Sequence, residues 1–229
     1  MDSLPHRTRP LRVYAVCVAA LSWFALLLQL YLSVQMSIRN GQGALHGLWM
    51  YLAFFTVLTN LLVAVTLSAP LLAPRSYWGA MSARPETING VSVNILLVGI
   101  AYNVLLRNTW SPQGAQWLVD ELLHDVIPLL FAGYAWVLSQ ERLGAFVPRL
   151  AWALWPIAFF AYALVRGAVS GFYPYPFINV THLGYGGVLV NAIGILLGYF
   201  VLSALWYLFE LTALRVNGRK RRVVREQSR

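Results

Sequence analysis

Residues 13–34 read VYAVCVAALSWFALLLQLYLSV, a run of 22 positions without a charged side chain. About 20 apolar residues are enough for a helix to cross the hydrocarbon core of a bilayer. The run therefore predicts a membrane-spanning helix over 11–37. Arginines precede it as in a signal peptide, but the run is too long for one and lacks a small-residue cleavage site, so we expect a retained helix.

Five further apolar runs of similar length follow, separated by short segments rich in Arg, Pro, Gly, Asn and Ser. They predict spans over 47–73, 88–106, 117–139, 149–169 and 185–212. The composition agrees, since 59% of the residues are hydrophobic and 11% are charged, against about 25% charged in soluble domains. The sequence therefore predicts an all-α polytopic membrane protein, with a six-helix transmembrane domain over 1–212 and a basic tail over 213–229.

The sixth run also carries Gly194 and Gly198 in GxxxG spacing. Small residues at this spacing let two helices approach closely. We therefore expect this face of the sixth helix to pack against a neighbouring helix inside the bundle.

Basic residues are distributed unequally between the two sides of the membrane. Alternating the loops between the sides puts 14 of the 17 basic residues with the chain termini and leaves Arg39, Arg107 and Arg166 on the other side. The positive-inside rule then predicts that both termini are cytoplasmic. The basic cluster at 219–225 directly follows a span, which favours contact with anionic lipid over the alternative, RNA binding. Only one basic residue is Lys, which favours a GC-rich bacterial genome and hence the bacterial inner membrane.

Polar residues within apolar helices are candidates for function because their burial in a membrane is unfavourable. The second run carries Thr56, Thr59 and Asn60, whose i, i+3, i+4 spacing places them on one helical face. The fourth run carries His124. At about 1.5 Å per residue, Thr56 lies about 13 Å and His124 about 10 Å below the outer ends of their helices. We therefore expect the two to meet in the outer half of the membrane.

Acidic residues and a proline flank His124 on the fourth run. Asp120 and Glu121 lie one turn before it, where we expect both to be solvated at the mouth of the helix, and Asp125 follows it directly. Pro128 lies one turn later and predicts a kink, because proline removes a backbone donor from the helical ladder.

Further polar residues reach the same depth from other elements. The third run ends with Tyr102, Asn103 and Arg107, and the fifth ends with Arg166. The loop over 173–177 follows the fifth run on the same side. Together these positions predict a polar pocket that opens towards the outer face or outer leaflet.

Established catalytic and metal-binding patterns are absent from the sequence. It contains no GxSxG, Walker A or HExxH pattern, and a single Cys excludes an intramolecular disulfide. A zinc site is chemically possible but lacks diagnostic spacing; its ligands would be His46, His124, Asp125 and His182. We therefore expect no metal and no cofactor.

Three stretches of the chain resemble the bacterial Pr-six-Pr family of six-span integral membrane proteins, and the resemblance covers most of the chain. These stretches are Phe55–Leu62, His124–Leu129 and Tyr173–Phe177. That family is similar, more distantly, to the androgen-induced and FAR-type membrane hydrolases. Those enzymes cleave fatty acid esters of hydroxy fatty acids with an intramembrane threonine and a histidine on different helices.

The resemblance implies a threonine nucleophile and a histidine base in this chain. Thr56 matches the nucleophile position best, with Thr59 as the alternative, and His124 matches the histidine. A threonine hydroxyl needs such a base within hydrogen-bonding reach to become an effective nucleophile. The resemblance therefore implies hydrolysis of a lipid ester.

The remaining polar residues suggest how such a substrate would be held. Asn60 or Asn103 would donate to the oxyanion, and Arg107 or Arg166 would bind a fatty-acid carboxylate. The acyl chains would lie among five aromatic residues: Phe54, Phe55, Trp110, Trp117 and Phe131. The alternative is a noncatalytic bundle that binds or transports lipid through the same pocket. In either case we expect membrane lipids as partners and no nucleic acid.

The unequal charge distribution predicts the orientation of the chain. A reporter enzyme that is active only in the periplasm, fused after Arg229, is expected to be inactive, because the basic residues near both termini hold these ends in the cytoplasm. Fusion of the same reporter after Arg39 is the control and is expected to be active. An active fusion after Arg229 would contradict the predicted topology.

Overall fold

The computed structural model describes residues 9–140 and 145–227, with side chains described up to 212 and at 214. The described residues form helices and no strand. Six helices are long and apolar enough to cross a membrane: Arg9–Arg39, Phe55–Leu72, Pro85–Thr109, Ala115–Ser139, Phe146–Ser170 and Val180–Thr212. This confirms the prediction of an all-α six-span protein. Arg7, Arg142 and the basic side chains of the tail from 215 onwards lie outside the described part of the chain.

The second apolar run does not form one helix. After α1 (Arg9–Arg39), the chain forms a short α2 (Gly43–Tyr51) and then α3 (Phe55–Leu72). Between them Phe54 is extended, with φ −100° and ψ 131°. The prediction of a continuous helix over 47–73 is therefore wrong at residues 52–54, and Thr56 lies at the start of a helix instead of inside one.

Two side-chain hydrogen bonds hold α2 against α1. The Ser33 hydroxyl donates to the backbone carbonyl of Gly47 over 2.9 Å. The Ser37 hydroxyl and Nδ1 of His46 are 3.1 Å apart. These contacts hold the middle of α2 against the end of α1.

The third and fourth spans each contain a π turn near their outer ends, the ends opposite the chain termini. The elements are α4 (Tyr77–Ser82), α5 (Pro85–Ala101), π turn (Tyr102–Leu106), 3₁₀ turn (Arg107–Thr109), α6 (Ala115–Glu121), π turn (Leu122–Val126) and α7 (Ile127–Ser139). Pro128 has no N–H for the carbonyl of His124, and the helical ladder widens directly before it. A π turn thus directly precedes the position where the sequence predicts a kink.

The fifth and sixth spans complete the bundle. They comprise α8 (Phe146–Leu150), 3₁₀ turn (Ala151–Ala153), α9 (Leu154–Ser170), 3₁₀ turn (Pro176–Ile178) and α10 (Val180–Gln227). Within α10, Gly184 has a φ of 65°, a left-handed conformation that favours glycine. The uninterrupted part of α10 therefore begins after Gly184, close to the predicted start at 185.

The sixth span is the least buried of the six. A Cβ built on Gly194 or Gly198 would meet no neighbouring atom within 4 Å. The prediction that this GxxxG pair packs inside the bundle is therefore wrong. The pair lies on the periphery because α10 closes one side of the bundle and leaves most of its surface to lipid.

A buried ion pair joins the fifth and sixth spans at their ends on the side of the chain termini. A guanidinium nitrogen of Arg149 lies 2.6 Å from Oε2 of Glu210, and both side chains are fully buried. The Arg149 guanidinium also lies 4.8 Å from the centre of the Tyr207 ring. The sequence places Arg149 at the first position of the predicted fifth span, on the side of the chain termini, and does not predict its burial.

Breaking this ion pair is expected to destabilise the bundle. Glu210→Gln leaves a buried guanidinium without its countercharge and should lower the free energy of unfolding by about 3 to 5 kcal/mol. The measurement is unfolding in detergent micelles titrated with dodecyl sulfate. The matched control is Glu86→Gln at the start of α5, with an expected change below about 1 kcal/mol. Equal effects of the two substitutions would contradict a stabilising role for the pair.

Candidate functional site

The break in the second span exposes the first turn of α3. The first backbone bond of this turn runs from the Leu58 N–H to the Phe54 carbonyl over 3.2 Å. The N–H groups of Phe55, Thr56 and Val57 precede that bond and therefore have no partner within the helix. The Thr56 N–H donates to the Tyr175 hydroxyl over 3.4 Å. The start of α3 thus carries backbone donors at the level of the threonine side chain.

The Thr56 side chain contacts His124, as their similar depth predicts. Thr56 Oγ1 lies 3.2 Å from Nε2 of His124. On the other side of the ring, Nδ1 lies 2.9 Å from the backbone oxygen and 3.2 Å from Oδ1 of Asp120. Two acceptors at Nδ1 favour the tautomer with the proton there, which leaves Nε2 free to accept the threonine proton. Thr56, His124 and Asp120 therefore form a continuous chain of contacts.

Asp120 is buried, with a relative exposure of 3%. The expectation that it is solvated at the helix mouth is wrong, because α6 begins at Ala115 and Asp120 lies in its second turn. The Tyr102 hydroxyl donates to Oδ2 of Asp120, opposite the oxygen that faces His124. Both carboxylate oxygens are therefore occupied, and this fixes the carboxylate beside the imidazole.

The Tyr102 ring also holds the plane of the imidazole. The rings of Tyr102 and His124 stack with their centroids 3.8 Å apart and their planes at 15°. Gly99, one turn before Tyr102, makes this approach possible, since a Cβ there would lie 2.8 Å from the His124 carbonyl oxygen. The third span thus supports His124 both through its backbone and through a side chain.

Asn60 and Thr59 support the site from deeper in α3. The Asn60 amide donates to the Thr56 carbonyl over 2.9 Å and to the Leu123 carbonyl over 3.1 Å. Both amide hydrogens are therefore engaged, and the side chain ties α3 to the π turn around His124. The Thr59 hydroxyl accepts from the indole N–H of Trp155 over 3.0 Å. Of the two threonines, Thr56 is the one in contact with the histidine.

Asn103 and Arg107 take part in a separate ionic network at the outer end of the bundle. The Asn103 amide donates to Asp125 over 2.7 Å, and Nε of Arg107 donates to Asn103 over 2.7 Å. The Arg107 guanidinium also pairs with Glu121 over 2.9 Å and with Asp125. This arrangement directs the Asn103 amide towards Asp125 and balances Arg107 with two carboxylates.

Arg166 supports the break in the second span. Its guanidinium lies 3.8 Å from the centre of the Trp49 ring and donates to the Tyr162 hydroxyl over 3.3 Å. The Tyr162 hydroxyl in turn donates to the Leu52 carbonyl, 3.2 Å away, which lies in the break itself. Arg166 is buried at 3% exposure and does not line the cavity beside Thr56.

A cavity of about 300 Å³ lies beside the Thr56–His124 pair. Its walls include the three residues in contact, Thr56, His124 and Asp120. Three residues of the outer loops also line it: Trp110, Pro174 and Tyr175. Phe54 also lines it, as expected, whereas Phe131 is fully buried in the core and Trp117 is exposed on the surface. The cavity therefore connects the threonine with the outer end of the bundle.

The described residues contain no group of three or more His, Cys, Asp or Glu that could hold a metal ion. His46 lies beside Ser37 and His182 is exposed, so neither joins His124. The chain matches no protein-family model, no curated protein and no solved structure.

Gly99 provides a structural test of the site. Gly99→Ala should lower the free energy of unfolding by about 1 to 3 kcal/mol, because the added methyl group forces α5 away from the π turn that carries His124. Gly133→Ala is the matched control, since its Cβ would meet only the Tyr14 hydroxyl at 3.4 Å. Unfolding in detergent micelles measures both, and equal stability of the two variants would contradict the close approach.

Proposed function

We propose that this protein is an intramembrane lipid-ester hydrolase with Thr56 as nucleophile, His124 as general base and Asp120 as the residue that orients the base. The observation that carries the proposal is the chain of contacts from Thr56 Oγ1 through His124 to Asp120, at the wall of a cavity. A nucleophile, a base and an orienting acid in this order is the arrangement that acyl transfer requires. The substrate class is a fatty acid ester of a hydroxy fatty acid, as the family resemblance implies.

The first half of the reaction forms an acyl-enzyme. Thr56 Oγ1 attacks the ester carbonyl carbon while Nε2 of His124 accepts the threonine proton. Asp120 stabilises the resulting imidazolium through Nδ1, without itself becoming protonated. The tetrahedral intermediate then collapses, the ester C–O bond breaks, and the imidazolium gives its proton to the leaving alcohol.

The oxyanion is stabilised by donors other than the expected Asn60 or Asn103, whose amide groups bind other acceptors. The N–H groups in the first turn of α3, which lack a partner within the helix, carry the positive end of the helix dipole. The Tyr175 hydroxyl interacts with the side chain and backbone N–H of Thr56. Burial raises the pKa of Tyr175, so its hydroxyl keeps its proton and remains a donor. One such donor in a dry site contributes about 3 kcal/mol to transition-state stabilisation.

The second half of the reaction releases the acid. A water molecule from the cavity of about 300 Å³ attacks the threonine ester, and His124 again accepts the proton. When the second tetrahedral intermediate collapses, the proton returns to Thr56 Oγ1. The products are a free fatty acid and the alcohol of the ester, which for this substrate class is a hydroxy fatty acid.

The proposal places the protein in a cell membrane, with the cavity facing the outer side and both termini in the cytoplasm. A bacterial inner membrane agrees with the charge distribution and the scarcity of lysine. A noncatalytic lipid-binding or transport bundle would use the same cavity but would not need a threonine bonded to an oriented histidine. Covalent chemistry at Thr56 therefore distinguishes the two functions.

Substitution of the three residues tests the hydrolase directly. Thr56→Ala and His124→Ala should each lower kcat/KM for a fatty acid ester of hydroxystearic acid by about a thousandfold or more, because each removes a participant in the chemical step. Asp120→Asn should lower it by about a hundredfold to ten-thousandfold, because the imidazole loses its orienting charge. Thr59→Ala is the matched control and should lose only a few-fold.

Labelling with a lipid-like fluorophosphonate provides the second readout. Labelling should be present in the parent protein and in Thr59→Ala, and absent in Thr56→Ala. Tyr175→Phe should retain the nucleophile yet lose about a hundredfold in kcat. Full activity and labelling in Thr56→Ala would reject the threonine mechanism and favour the lipid-binding alternative.

A further inference from the structure

A second, apolar cavity adjoins the reactive threonine on the side away from the outer loops. Its volume is about 50 Å³. The residues that line it but not the larger cavity include Phe55, Leu97, Phe159 and Phe160. It shares four wall residues with the larger cavity: Thr56, Tyr102, Leu106 and Tyr175. The two cavities therefore meet at the nucleophile, one with polar groups in its wall and the other apolar.

A third cavity continues from the apolar one to the lipid-facing surface between α9 and α10. Its volume is about 240 Å³, and its walls include Ile157, Ala192, Ile193 and Leu196. It shares three residues with the apolar cavity: Pro156, Phe160 and Ile195. Each of its lining side chains is a hydrocarbon. The three cavities therefore lie in series from the outer end of the bundle, past Thr56, to the surface of α9 and α10.

The third cavity lies at the depth of the lipid tails. Ile157 is 11 residues from the start of the fifth span and Ile193 is nine residues beyond Gly184, which at about 1.5 Å per residue places both roughly 14 to 17 Å inside the membrane. Ile193 and Leu189 are at least half exposed there. At this depth the surrounding solvent is hydrocarbon. The material that covers this groove is therefore a lipid acyl chain.

We propose that the acyl chain of the substrate enters from the bilayer core between α9 and α10 and passes Phe160 to bring its ester carbonyl to Thr56. This inference rests on the proposed hydrolase function and adds a substrate class to it. The narrow apolar cavity admits one unbranched chain, whereas the polar remainder of the ester lies in the larger cavity with Asp120 and His124. Long unbranched acyl esters are therefore the preferred substrates, and leaving groups of different shapes are tolerated.

Filling the groove tests the path. In Ala192→Trp the indole occupies the groove, so the ratio of p-nitrophenyl palmitate to p-nitrophenyl butyrate hydrolysis should fall by about tenfold or more, since the longer chain alone needs the groove. The matched control is Ala158→Trp, an exposed position on α9 that lines none of the three cavities. It should keep the ratio of the parent protein. Both variants are assayed as full chains in lipid nanodiscs.

A palmitic acid with a diazirine at its methyl end provides a readout that does not need turnover. In nanodiscs it should cross-link to Phe160, Ile193 or Ile195, and Ala192→Trp should abolish these cross-links. An unchanged ester ratio in Ala192→Trp, or cross-links confined to other lipid-facing surfaces, would overturn the path. If the parent protein cleaves neither ester but still gives the groove cross-links, the hydrolase proposal fails and the chain-binding groove stands.

Discussion

The interruption of the second span at residues 52–54 determines how the rest of the site is built. Inside a bilayer each backbone N–H and C=O group must find a partner, and an irregular segment persists only where protein or a polar cavity surrounds it. Here the Leu52 carbonyl is bonded by Tyr162 and the Thr56 N–H by Tyr175. The same broken ladder that needs these partners also presents Thr56 at a helix end, next to His124. The contact between Thr56 and His124 and the satisfaction of the interrupted backbone thus depend on one structural requirement.

This requirement also accounts for the buried cation and the aromatic residues around the break. Arg166 bonds Tyr162 and stacks on Trp49, so it connects α9 with the end of α2. On the opposite side of the site, Tyr102 covers His124 and bonds Asp120. Tyr102, Tyr162 and Arg166 hold other groups of the site in place. None of the three is identified by a catalytic sequence pattern.

Hydropathy predicted the six spans well because the length and composition of each run reflect the thickness of the bilayer. Depth along the helices likewise predicted that Thr56 and His124 would meet. The break was not predicted because residues 52–54 contain no Gly or Pro, and its stabilising partners come from the fifth span and the following loop. One signal was available: the stretch from Gly43 to Leu72 is longer than the about 20 residues that a straight helix needs. The burial of Asp120 and Arg149 depends on tertiary neighbours, and local sequence does not encode it.

The π turns at Tyr102–Leu106 and Leu122–Val126 have a consequence for how the two ends of the bundle relate. Each widens one turn of its helix, so the outer segment is rotated relative to the inner segment without a break in the backbone ladder. The inner halves of the third and fourth spans can therefore keep the packing of a conventional helical bundle, while the outer halves turn Tyr102 and His124 towards each other. The shape of the outer cavity is thereby decoupled from the inner core, so residues around this cavity can change at little cost in the stability of the six-span scaffold.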